Sequence, residues 1–125
     1  MAKLVSIEHV QLAMPKGGED AAREFYGRLL DIPEIPKPKH LVKRGGVWFE
    51  RGCLKVHLGI EPHFVPATKA HPAFVVEGLQ ALVAKLNDAG YETVADDSLG
   101  KWRRVHVSDP FGNRIELMEP RGTKN

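Results

Sequence analysis

Apolar positions along the chain change period several times, and the changes mark its elements. Residues 4 to 13, LVSIEHVQLA, are rich in β-branched and apolar types and predict a strand that ends at Met14-Pro15. In GGEDAAREFYGRLLDI the period lengthens. Ala22, Phe25, Leu29 and Leu30 recur at helical spacing, with acidic residues in the first turn. Pro33, Pro36 and Pro38 stop that helix and make a connector with room for one edge strand. VWFERG (47 to 52) and LKVHLGIE (54 to 61) then read as two strands joined around Gly52.

After the connector PHFVPATKA the order begins again. HPAFVVEG (71 to 78) predicts a strand, LQALVAKLNDAG (79 to 90) a helix stopped by Gly90, and YETVADD and WRRVHVSDP two further strands. The turn DPFGN (109 to 113) leads into a closing strand, RIELMEP (114 to 120). Each half is thus strand, helix, then two or three strands, and local similarity supports a duplication. EHVQLAM (8 to 14) lies against AHPAFVV (70 to 76), RLLDIPE (28 to 34) against KLNDAGYE (85 to 92), and VHLGIEP (56 to 62) against IELMEP (115 to 120). This superposition puts His9 on His71, His57 on Glu116 and Lys55 on Arg114.

Alternation along each strand assigns these residues a face. Val10 and Leu12 oppose His9 and Gln11, and Leu54, Val56 and Leu58 oppose Lys55, His57 and Gly59. In the second half Phe74 and Val76 oppose His71, Ala73 and Val75, while Ile115 and Leu117 oppose Arg114, Glu116 and Met118. If the apolar sets face the helices, three imidazoles and a carboxylate gather on the other side. Borderline divalent metals prefer those ligands, and two His with one carboxylate is the set associated with non-haem Fe(II), though Zn, Mn, Ni or Co also fit. A carboxylate between Ile115 and Leu117 would in any case need a proton, a cation or a metal to offset lost hydration. His40 and His63, in proline-containing connectors, read as ordinary surface residues; His106 alternates with Val105 and Val107 and would line the same cavity.

Composition narrows the partners. With 125 residues the chain fits one domain, residues 1 to 125, made of two modules at about 4 to 61 and 70 to 120. Eighteen Lys and Arg against 16 Asp and Glu give a formal charge of +2, and the scattered basic residues argue against nucleic acid. Cys53 is the single cysteine, the first residues MAKLVSIEHV lack the long apolar stretch of a signal peptide, and no run reaches a membrane span, so a cytoplasmic, membrane-free protein is expected.

The pieces IEHVQLAMP with AAREFYGRLLDI, LKVHLGIE, AHPAFVVEGL and above all SDPFGNRIELMEP resemble the vicinal oxygen chelate superfamily, over about residues 4 to 120. This superfamily includes glyoxalases, bleomycin-resistance proteins, fosfomycin-resistance enzymes and extradiol dioxygenases. The resemblance implies an α+β fold of two tandem βαβββ modules whose sheets form an open barrel-like cup, with a divalent metal on His9, His57, His71 and Glu116. It also implies a substrate that chelates the metal through neighbouring oxygens. Where ordinary glyoxalases carry a glutamate this chain has His57, so Glu116 and His57 become the candidate catalytic residues. Lys55, Arg114, His106 and Trp48 are candidates for binding a small, anionic substrate. The rival reading is a metal-free binding protein of the bleomycin-resistance kind. Open sheet edges favour a homodimer.

Overall fold

The computed structural model describes residues 1 to 122 and divides into two compact units, Met1–Phe64 and the part of Val65–Asn125 that is described. Each unit holds one four-stranded mixed sheet.

In the first unit the strands are β1 (Val10–Met14), β2 (Glu34–Ile35), β3 (Val47–Arg51) and β4 (Leu54–Ile60), in the order β1-β4-β3-β2. β1 runs parallel to β4, and β4 pairs antiparallel with β3 across the turn at Gly52. The apolar sides of these strands form the core with the helical segment: Leu12, Met14, Val47, Phe49, Val56 and Leu58 are buried, as are Phe25, Tyr26 and Leu29.

Two details depart from the sequence expectation. The strand predicted over residues 4 to 13 begins only at Val10, where its pairing with β4 starts opposite Val56, and Leu4, Val5 and Ile7 before it are exposed. The first helix is α-helical only over Glu19–Ala22 (α1) and widens into a π-helical turn over Arg23–Leu29. The amide of Leu30 reaches back to the carbonyl of Phe25 at 2.9 Å. The wider winding lets the adjacent aromatic residues Phe25 and Tyr26 both be fully buried, and Gly27 admits the Phe49 ring, which a Cβ there would meet at 3.3 Å. The proline-rich connector contains the short edge strand β2 and a 3-10 turn over Lys39–Arg44.

The second unit repeats the plan with β5 (Ala73–Val75), α2 (Leu79–Asp88), β6 (Thr93–Ala95), β7 (Trp102–Ser108) and β8 (Arg114–Pro120), in the order β5-β8-β7-β6. Val105, Val107, Ile115, Leu117, Leu79 and Leu86 are buried on the apolar side. No Ser, Thr, Asp or Asn opens α2; instead Glu119 of β8 accepts hydrogen bonds from the amides of Gly78 (2.8 Å) and Leu79 (3.4 Å), which pins the helix start to the sheet. Between β7 and β8, Asp109 accepts from the amides of Phe111 and Asn113, and Gly112 takes a φ of +92°. Among the described residues no helix is long and apolar enough to cross a membrane.

Two substitutions test this packing. Phe25→Ala should cost about 3 to 5 kcal/mol through lost transfer energy and a cavity. Gly46→Ala should also destabilise strongly, since Gly46 has a φ of +88° and a Cβ there would lie 2.3 Å from the Leu58 carbonyl oxygen. Urea unfolding at pH 7 measures both; a Gly46→Ala midpoint equal to wild type would contradict the backbone geometry.

Candidate metal centre and polar face

Strand register lines up side chains in rows on the face opposite each core. In the first unit Gln11, His57 and Trp48 form one row across β1, β4 and β3, and Lys55 and Glu50 are paired in the next. His9 lies one residue before β1. In the second unit Ala73, Glu116 and His106 form the corresponding row, and Arg114 and Ser108 are paired in the next. His71 lies two residues before Ala73, as His9 lies two before Gln11. The registers therefore equate the same pairs as the sequence repeat, His9 with His71, His57 with Glu116 and Lys55 with Arg114. They add Trp48 with His106 and Glu50 with Ser108.

Glu116 is buried, with 5 % of its surface exposed. Burial is the largest single influence on its carboxyl and pushes the pKa up. Hydrogen bonds from Arg104 and His71, with the nearby charges of Arg104 and His106, outweigh it, so the net pKa lies below the ordinary value of 4.5. The two oxygens have different company. Oε2 accepts from the Arg104 guanidinium at 2.6 Å. Oε1 faces Nε2 of His71 at 2.9 Å and Nε2 of His106 at 3.7 Å. Arg104 is itself anchored on Asp96 (2.8 Å) and Ser98 (2.7 Å), at the start of the loop between β6 and β7. Reading the sequence alone missed Arg104, because its link to Glu116 is diagonal across β7 and β8 and needs the register; the signal available was an arginine two positions before His106, on the same alternation.

His71, His106 and Glu116 offer ligand atoms that all lie within 4.8 Å of one another. Donors bound 2.0 to 2.2 Å from one ion sit roughly 3.0 to 3.5 Å apart. The two contacts to Oε1 bracket that range, so a cation would need to draw the remaining side in by no more than roughly 1.3 to 1.8 Å. The hydrogen-bond chemistry agrees. Nδ1 of His71 is 2.8 Å from the carbonyl oxygen of Lys69, which can only accept, so Nδ1 carries a proton. A neutral His71 then turns a lone pair toward the carboxylate, and only a further proton or a cation between them makes that contact favourable. Burial, followed by the charge of Arg114, holds the His106 pKa below its ordinary 6.5, which keeps the ring neutral and able to ligate.

In the first unit the predicted residues make a different arrangement. His57 is buried between two rings, with Trp48 stacked on it at a centroid distance of 3.9 Å and 3°, and His9 at 4.5 Å and 21°. Its Nε2 lies 2.7 Å from Oε2 of Glu50, another residue missed from sequence. Ligand lone pairs lie in the ring plane, so two stacked imidazoles cannot both point at one ion; one must first leave the stack. His9 is the more exposed and is also within 2.9 Å of the Glu8 carboxylate. Lys55 is ion-paired with Glu8. Arg114 and His106, by contrast, line an open cleft of about 640 Å³ with Thr68, Tyr91, Glu92 and Ser108.

Among solved structures, a provisionally named glyoxalase family protein from Bacillus anthracis is 45 % identical, with a TM-score of 0.92 over 97 % of this chain and 99 % of that one. A genomically encoded fosfomycin resistance protein from Listeria monocytogenes (15 % identity, TM-score 0.74, 95 % and 96 % covered) has the same fold. So does a lactoylglutathione lyase from Agrobacterium tumefaciens (17 %, 0.72, 94 % and 96 %). No family model matches the chain, and no curated protein does. The fold and the paired polar faces define a vicinal oxygen chelate protein, and the chain belongs to the glyoxalase family within that superfamily.

The titrations set a sign for pH dependence in the metal-free protein. His106 resists protonation when folded, so its contribution is full above pH 6.5 and is lost as pH falls toward its lowered folded pKa. Glu116, also lowered, adds a second loss below pH 4.5. Urea midpoints should fall in both windows on acidification. His106→Gln should flatten the upper one, and Arg104→Met, which removes a main influence lowering the Glu116 pKa, should shrink or reverse the lower one. If the upper window is unchanged in His106→Gln, another group controls it.

Proposed function

We propose that this protein is a metal-dependent enzyme acting on a small organic molecule that chelates the ion through neighbouring oxygens. His71, His106 and Glu116 form the metal set of the second unit, and His9 and His57 are the candidate ligands of the first. One observation carries the reading: His71, His106 and Glu116 offer ligand atoms that all lie within 4.8 Å of one another, with His71 Nε2 turned to Glu116 Oε1 at 2.9 Å by the contact of Nδ1 with the Lys69 carbonyl. A divalent cation satisfies both at once.

When bound, the ion supplies Lewis acidity that stabilises negative charge on a substrate oxygen. The chain's residues do the rest. Arg104 holds one oxygen of Glu116 and leaves the other to the imidazoles, as outer partners of metal ligands commonly do. Arg114, in the cleft beside His106, attracts an anionic group. His57 is the candidate to move a proton near neutral pH. Arg104 also favours a second reading, a metal-free binding protein, because it already supplies one cation to Glu116.

The direct test is metal analysis of chelator-stripped protein after reconstitution with Fe(II), Mn(II), Zn(II), Ni(II) or Co(II). Wild type should retain about one ion per chain, and Glu116→Ala and His71→Ala should each lose at least tenfold in affinity. Wild type that binds none of the five overturns the enzyme reading and leaves the binding protein.

A cytoplasmic homodimer completes the proposal. The edge strands β1 and β5 and the exposed Leu4, Val5 and Ile7 are surface that a second copy would cover. Light scattering at micromolar concentration should give twice the chain mass; a monomer contradicts the dimer.

A further inference from the structure

The surroundings of His57 limit how that ring can act. Its two faces are taken by Trp48 and by His9. Its Nε2 edge is taken by Glu50 at 2.7 Å. The remaining atom, Nδ1, is buried and has no hydrogen-bond partner. A carboxylate can only accept, so the proton of a neutral His57 sits on Nε2, and the lone pair sits on Nδ1.

From this we infer that Nδ1 is the working atom of His57 and that Glu50 is the positioning residue that makes it so. The inference rests on the functional reading above for what arrives at Nδ1, a metal ion or a substrate proton. The tautomer stands apart from that reading. In this scheme Glu50 touches neither metal nor substrate. It accepts the Nε2 proton, fixes the ring plane against Trp48, and leaves one lone pair directed away from itself. The second module has no counterpart, since Ser108 occupies the position equivalent to Glu50 and Glu116 that of His57.

Histidine side-chain nitrogen NMR on ¹⁵N-labelled protein tests both parts, with His57→Gln used to assign the signals. In metal-free wild type at pH 8, His57 should show a single Nε2–H tautomer with a lone-pair signal at Nδ1. Glu50→Gln, which keeps an oxygen acceptor, should preserve that pattern, whereas Glu50→Met should convert it to a mixture or to the Nδ1–H form. Titration with Zn(II) should move the Nδ1 signal and not Nε2 if His57 ligates. An Nδ1–H or doubly protonated ring in wild type overturns the inference. So does a folded Glu50→Met protein, checked by its thermal melt, whose His57 pattern matches wild type. If no metal binds at all, the metal reading fails, while the wild-type tautomer still decides the role of Glu50.

Discussion

A carboxylate removed from water has to find its positive charge inside the protein, and Glu116 organises the second module around that need. Its flanking residues Ile115 and Leu117 hold β8 in the core, so the strand cannot turn to give the acid back to solvent. The constraint is met on both oxygens. The guanidinium of Arg104 serves one, and the imidazoles of His71 and His106 face the other. The result is a charge-assisted cluster with one side closed by a fixed cation and one side made of neutral or titratable rings. The second side alone has donors that a cation could use, and that asymmetry distinguishes the cluster from a plain buried ion pair.

The same sheet geometry gives the first module a different solution. Across the equivalent rows an imidazole replaces the carboxylate, an indole replaces an imidazole, and a glutamate replaces a serine. With no buried acid to neutralise, ring stacking takes over, and the carboxylate moves to the periphery as the partner of His57. Duplication thus preserved the backbone register while the chemistry on the face diverged. Gly59 illustrates how local the accommodation is: the Gln11 side chain lies so close that a Cβ there would meet its Nε2 at 2.9 Å.

Much of this was legible in the sequence because alternation is a strict rule in strands. Once Val56 and Leu58 are assigned to the core, His57 has to face the other way, and the same holds for Glu116 between Ile115 and Leu117. The repeat then aligned the two modules without any knowledge of pairing, and the strand registers agree with it. What alternation cannot supply is the neighbour on the next strand. Arg104 and Glu50 reach their partners diagonally, so their roles depend on which residue pairs with which, and that follows from turn lengths and closing contacts far along the chain. The π-helical turn escaped for a related reason. Phe25 and Tyr26 satisfy an ordinary helical pattern on paper, and only the demand to bury both against Phe49 and Gly27 selects the wider winding.

The stacked rings of the first module also limit which of its own side chains can hold an ion. Parallel imidazoles have parallel lone pairs, so His9 and His57 cannot join the same coordination sphere while they remain in contact. Of the two, His57 is clamped by Trp48 and Glu50, and His9 precedes β1 on an unpaired stretch of backbone with much of its ring exposed. The ring with the lower cost of movement is therefore His9. An ion held within the first module would be met by His9 leaving the stack, with His57 staying in place against Trp48 and Glu50.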